Sequence, residues 1–255
     1  MKASVLIVAL HGIYSHRRWY GPGRPGQEPL YEQHLRSAPK LAVQEGYDTI
    51  VVSGGRTRPQ LPEVKEGLVV HSEAEGALEF IRDDAIDLLG RRLLPESFAR
   101  DSFENLLFGL LAARQACGAW PDSIGFLSFP FKMLRMVSSA IGLGVAERFH
   151  FHGIGGMAST EYQSVVCGEV KNLAAAVLPD LPDPLLRGSW FRQKRAERTP
   201  QGLTEEEYLA HVKTAYAPHG NDPADQSIRD WLDQIHALRP GHAWRNLDSL
   251  LPPGT

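Results

Sequence analysis

Residue types that handle negative charge gather in three short stretches of the sequence. Ser53-Gly54-Gly55-Arg56-Thr57-Arg58 joins glycines, which can expose backbone N–H groups, to two guanidinium groups. That combination suits a phosphate or a carboxylate. Ser128, Lys132 and Arg135 place a hydroxyl and two cations where a new helix is expected to open, a second anion-type site. A lysine there opposes the helix dipole, which favours a ligand-facing role over a structural one. His11-Gly12 follows an apolar run and faces the same kind of position. Carboxylates stand close by in sequence: Glu73 after Ser72, then Glu96, and then Asp101-Ser102-Phe103-Glu104-Asn105. Ser72 and Glu75 read as a capping box, and Asp101 with Glu104 repeats the pattern. Beyond capping, Glu73, Glu96 and Glu104 could orient ribose hydroxyls, hold a hard metal ion or act as general bases, and the sequence leaves these roles open. His150 and His152 share one strand face, but no third ligand in the sequence completes a metal set with them.

These stretches need a scaffold that brings them together. Apolar runs at 4–10, 49–53 and 124–128, with 148–153 as a fourth, read as buried strands. Between them, apolar residues recur at helical spacing, as in Leu30, Leu35, Ala38, Leu41 and Ala42, with Gly46 as the stop signal. Strands alternating with helices imply an α/β fold, a Rossmann-like, doubly wound and mostly parallel sheet with helices on both faces. In such sheets the ligand lies beyond the carboxyl ends of the strands, which is where each charged stretch falls. The core is expected over residues 1–180. Residues 181–255 form a C-terminal extension with a basic, aromatic stretch at 190–198 and two amphipathic helices at 204–216 and 224–238.

Composition narrows the function. The 255 residues are 43% hydrophobic and 22% charged with a formal net charge of −3, ordinary for a globule and without the basic excess of a nucleic-acid binder. Two cysteines, Cys117 and Cys167, exclude a disulfide framework or a Cys-based zinc site. The 4–10 run is too short to span a bilayer, and no later stretch reaches the length of a spanning helix. A soluble, cytoplasmic protein with no membrane association is expected. Leu10-His11-Gly12 matches the His-Gly segment of α/β-hydrolases, yet the Gly-x-Ser-x-Gly elbow is missing. Gly153-x-Gly155-Gly156 follows the fourth strand, where a dinucleotide fingerprint would follow the first, and a Walker lysine motif is absent.

The order of the motifs resembles the SanA/ElyC/YdcF-like family, a domain of unknown function. That family shows a Ser-Gly-Gly strand end, a Ser-Glu-Ala helix start, a Glu before a Thr-x-Glu-Asn segment, and a Thr…His…Arg strand-to-helix segment. The counterparts here are Ser53-Gly54-Gly55, Ser72-Glu73-Ala74, Glu96 with Ser102-Phe103-Glu104-Asn105, and Ser128…Lys132…Arg135. Asp183 to Pro200 is similar to the basic tail of longer members. The chain departs from the pattern at Lys132, where the family has His, and at Ser102 and Ser128, where it has Thr. A charged lysine cannot accept a proton, so the resemblance carries a charge-binding role to this position but not a general base.

The resemblance implies a Rossmann-like cleft for a nucleotide-like ligand, S-adenosylmethionine among those considered for the family. It does not extend to the envelope role of members that carry a membrane span. Together, residues and resemblance lead to the expectation of a small anionic, nucleotide-like or phosphorylated ligand, with hydrolysis or group transfer as the reaction class. Arg56, Arg58, Lys132 and Arg135 would hold its charge. The carboxylates would orient water, hydroxyls or a divalent metal, and Asn105 would fix a neighbouring carboxylate. A ligand sensor without turnover, or an interaction protein using the C-terminal extension, are the alternatives.

Overall fold

Strict alternation along the first strand, β1 (Ser4–Ala9), sets up two layers around one sheet. Val5, Ile7 and Ala9 point to one core and Leu6, Val8 and Leu10 to the other, so both faces are buried. A computed structural model of the chain describes residues 3–21, 26–156, 165–170, 189–200 and 202–216. Six strands follow β1: β2 (Ile13–Ser15), β3 (Arg18–Tyr20), β4 (Thr49–Ser53), β5 (Arg92–Glu96), β6 (Ser123–Ser128) and β7 (Phe149–Gly153). The sheet order is β5-β4-β1-β6-β7, and every pairing is parallel. The order reverses between β1 and β6, so a crevice opens at their carboxyl ends. The α/β, Rossmann-like, doubly wound architecture expected from the sequence is what the chain adopts.

Helices α1 (Glu28–Glu45) and α3 (Glu73–Asp83) cover the Leu6–Val8 face, with the one-turn α2 (Pro62–Lys65) between them in sequence. Gly46 ends α1 in the left-handed conformation at φ 76°, as its position after the apolar repeat predicts. The other face is covered by α4 (Ser102–Cys117) and α5 (Met133–Gly142). Residues 165–170 form a further helical segment, α6, followed by α7 (Ser189–Arg198) and α8 (Glu205–Tyr216). Tyr208, Leu209, Val212 and Tyr216 of α8 belong to the same apolar cluster as Ile7 and Phe126. The expected helix at 224–238 lies outside the described residues.

Two elements depart from the sequence reading. Between the first apolar run and α1, where the sequence marks no strand, the chain forms the hairpin β2–β3, paired Ile13 to Tyr20. Its turn residues His16 and Arg17 both adopt positive φ, 51° and 62°, which a two-residue hairpin turn demands but which their side chains do not advertise. The His16 N–H donates to Glu79 Oε1 at 3.0 Å and ties the turn to α3. The strand β5 is also additional to the four expected. It stands at the sheet edge, is partly exposed and contains Pro95, so neither apolar alternation nor β-propensity marks it.

Candidate functional site

A cavity of about 130 Å³ opens at the carboxyl edge, where β1, β4 and β6 give way to their loops. Leu10 and His11 come from the end of β1, Thr57 and Arg58 from the loop after β4, Glu73 from the start of α3, and Lys132 from the turn after β6. Arg100, Asp101, Ser102 and Asn105 enter from the head of α4, and α7 contributes Lys194 and Arg198. Five of these lining side chains are cationic and two are carboxylates. The wall therefore carries an excess of positive charge.

Much of that charge is paired, in one buried network. Asp101 caps α4 by accepting from the Glu104 N–H at 2.9 Å, and its other oxygen accepts from Arg195 Nε at 2.7 Å. Burial alone would raise the Asp101 carboxyl, but the Arg195 guanidinium outweighs it and holds the group well below the usual carboxylate range. Glu104 accepts from Arg100 Nη2 at 2.6 Å and Nε at 3.0 Å, and lies 3.3 Å from Arg195. Arg100 also reaches Glu205 of α8. The capping box expected of Asp101 and Glu104 is therefore only half formed. Glu104 accepts from the Arg100 backbone N–H at 2.8 Å, one residue ahead of the cap position.

The cations facing the cavity are under electrostatic pressure. Lys132 is pulled down to about 7, first by burial and then by the Arg135 charge. Lys194 is pulled down to about 8 by burial and by Arg198, and Arg198 is lowered by burial and by Arg58. The Nε of Arg58 is buried without a hydrogen-bond partner. Groups so arranged gain from an anion placed among them.

His11 sits between two donors. Its Nδ1 lies 3.4 Å from Lys132 Nζ and its Nε2 3.5 Å from Ser128 Oγ, while its ring stacks on Phe129 at 4.5 Å. Burial, then the Lys132 charge, lowers its proton affinity far below that of an ordinary histidine, so the ring is neutral. Lys132 Nζ is also 3.3 Å from Ser102 Oγ, on the first residue of α4.

Of the residues singled out in the sequence, His11, Arg58, Glu73, Ser102, Asn105 and Lys132 meet at the cavity. The others serve it from behind or stand apart. Ser53 Oγ reaches Glu96 Oε2 and Asn105 Oδ1, the latter at 3.1 Å, and so fixes Asn105 from beneath. Glu96 is fully buried and accepts from the N–H groups of Phe98, at 2.6 Å, and Ala99, at 3.1 Å. Burial raises its carboxyl to about 7. Ser72 and Glu75 form the expected capping box of α3. Gly12 follows His11 with Tyr31 and the Tyr20 carbonyl close against it. Arg135 is buried in a two-bond pair with Glu169, at 2.7 and 2.8 Å.

The Gly54-Gly55 reading is corrected in its chemistry. Their N–H groups are not offered to an anion; they donate to the carbonyls of Glu96 and Ala99 at 2.9 and 2.7 Å. Glycine is required here by close approach, since a Cβ on Gly54 would stand 2.6 Å from Glu73 Oε2 and one on Gly55 2.7 Å from the Ala99 carbonyl oxygen. Arg56 is exposed and lies outside the cavity lining, so the guanidinium that the loop brings to the site is Arg58 alone. Sequence reasoning missed Thr57, Arg100, Lys194 and Arg198 as lining residues. The last two belong to the basic 190–198 stretch of the C-terminal extension, whose composition shows cations but not their place at the strand ends.

The lining discriminates among ligands. S-adenosylmethionine brings a sulfonium cation and an apolar-faced adenine, yet the wall is cationic and, among the described residues, Leu10 is the single apolar one lining it. That group does not fit the cavity. A divalent cation has poor prospects of ligands there too, because Asp101 is taken by Arg195 and Glu73 accepts from Thr57 Oγ1. Among the described residues no group of three or more His, Cys, Asp or Glu side chains could hold a metal ion, and His152 of the expected histidine pair bonds Tyr47 at 3.0 Å. Among the described residues, too, no helix is long and apolar enough to cross a membrane. The chain matches no family model and no curated protein.

Proposed function

We propose that the chain is a SanA/ElyC/YdcF-like protein whose strand-end cavity takes the phosphoryl end of a small phosphorylated metabolite, with hydrolysis or transfer at phosphorus as the reaction class. The observation that carries this reading is the convergence of Arg58, Lys132, Lys194 and Arg198 on one cavity, three of them with lowered proton affinity. An anionic group relieves their mutual repulsion, and a tetrahedral dianion can engage several cations at once. The volume points the same way, being well below the roughly 300 Å³ at which pockets for drug-sized ligands begin. The cavity takes a head group, and the remainder of the ligand extends outward.

The test is a thermal-shift titration with inorganic phosphate, comparing wild type with Arg58→Ala, Arg198→Ala and Arg56→Ala. Phosphate should raise Tm in proportion to the logarithm of its concentration once binding saturates. Loss of Arg58 or Arg198 should weaken apparent affinity about tenfold or more, as expected for a charge-assisted contact, and Arg56→Ala should leave it unchanged. A flat response in wild type, or an equal loss with Arg56→Ala, contradicts the reading.

A further inference from the structure

Ser102, Lys132 and His11 line the same cavity and touch in series. Ser102 Oγ is 3.3 Å from Lys132 Nζ, and Nζ is 3.4 Å from His11 Nδ1. A hydroxyl beside an amine that a third group orients is the arrangement by which a weak nucleophile is activated. We propose that Ser102 is a nucleophile and Lys132 its general base, and that the pair cleaves small phosphomonoesters through a phosphoserine intermediate. The proposal rests on the phosphoryl-binding reading above and assigns the chemistry to residues that reading uses only for binding.

The lysine suits the task. A general base works best with a proton affinity near the working pH, and burial together with Arg135 brings Lys132 to about 7, so a large fraction of it is the free amine at neutral pH. His11 holds Nζ in place. As a neutral ring it can accept from Nζ through Nδ1 while Nε2–H donates to Ser128. Neither ring nitrogen is then left to attack phosphorus, and Ser102 Oγ is the cavity hydroxyl that Nζ contacts. Glu96 and Glu104 are committed to backbone N–H groups and to Arg100, and neither lines the cavity.

The steps balance without a further reagent. Ser102 Oγ attacks phosphorus as its proton passes to Lys132 Nζ. The bond from phosphorus to the ester oxygen breaks, and the Lys132 ammonium protonates the departing alkoxide or phenoxide. Water then attacks the phosphoserine and gives a proton to Nζ. The P–Oγ bond breaks, and Nζ returns that proton to Oγ. The products are an alcohol and inorganic phosphate, with Arg58, Lys194 and Arg198 balancing the charge on the transferring group.

The experiment uses p-nitrophenyl phosphate as the probe, with nitrophenolate release, acid quenching and peptide mass mapping. In parallel, the Tm rise with inorganic phosphate is measured for every variant. Wild type should release nitrophenolate and carry an acid-stable phosphoryl group on Ser102, with kcat/KM climbing through a midpoint near pH 7 and kcat through a higher one, because the bound dianion raises Lys132. Ser102→Ala, a benign change at a helix start, should lose both signals while phosphate still raises its Tm. Lys132→Arg keeps the charge but cannot deprotonate, so it should bind phosphate and release nitrophenolate at least about a hundredfold more slowly. His11→Gln, whose carboxamide oxygen can still accept from Nζ, should retain activity that His11→Leu loses. If phosphate raises the wild-type Tm but release is absent or does not depend on Ser102, the nucleophile assignment is overturned and the binding reading stands. If phosphate leaves Tm unchanged, both are overturned.

Discussion

Glu96 and His34 show how burial acts with opposite sign on acids and bases in one domain. Glu96 is wholly buried at the end of β5, and burial raises its carboxyl from 4.5 to about 7 despite hydrogen bonds from Ser53, Phe98, Ala99 and Tyr216. The folded state therefore holds a proton that the unfolded chain releases. Its contribution to stability is full below about pH 4.5 and is lost as pH rises through about 7. His34, bonded to the Ile154 carbonyl, is lowered by burial from 6.5 to about 4 and acts in reverse, losing stability as pH falls through that window. Comparison of wild type with Glu96→Gln cancels the histidine and isolates the glutamate. Between about pH 5 and about pH 8, urea unfolding should show wild type losing about 3 kcal/mol relative to Glu96→Gln. Parallel stability profiles would contradict a protonated Glu96.

At the scale of elements, α7 reaches into the head of α4. Arg195 is buried against Asp101 and Glu104, so α7 is held by charge where α8 is held by its apolar face. Arg195→Met removes one partner from a buried pair and should cost about 3–5 kcal/mol near neutral pH. The cost should shrink on acidification as Asp101, whose carboxyl Arg195 holds down, regains its proton. Urea titrations at neutral and acid pH read both effects, and a loss that does not change with pH would locate the damage elsewhere. This contact also marks the limit of what sequence could reveal. The strands of the sheet interior were legible because burial on both faces writes continuous apolar runs, as in Val5–Leu10 and Ile50–Val52. The edge strand β5 and the hairpin β2–β3 were not, since partial exposure and a turn built on His16 and Arg17 leave no such trace. The site was half legible for a related reason. His11, Arg58 and Lys132 follow strands and inherit their positions from the sheet, whereas Lys194 and Arg198 arrive by a long-range contact that no local pattern encodes.

For the whole molecule, a net charge of −3 conceals a cavity with cations in excess. Folding places Arg58, Lys132, Lys194 and Arg198 together at the switch between β1 and β6, and burial together with neighbouring cations lowers the proton affinity of Lys132, Lys194 and Arg198. A bound anion offsets that pressure. Lys132 and Lys194 stand at about 7 and about 8 in the free protein, so a bound dianion should raise both and draw protons from solution. Sulfate tests this most directly, because it mimics phosphate but does not itself titrate near neutral pH. Isothermal titration with sulfate at about pH 7.5, in buffers of different ionisation enthalpy, reads the proton uptake. Sulfate should bind with uptake approaching about one proton per site, reduced by Lys132→Met. Failure of sulfate to bind, or binding with no proton uptake, would contradict the anion site.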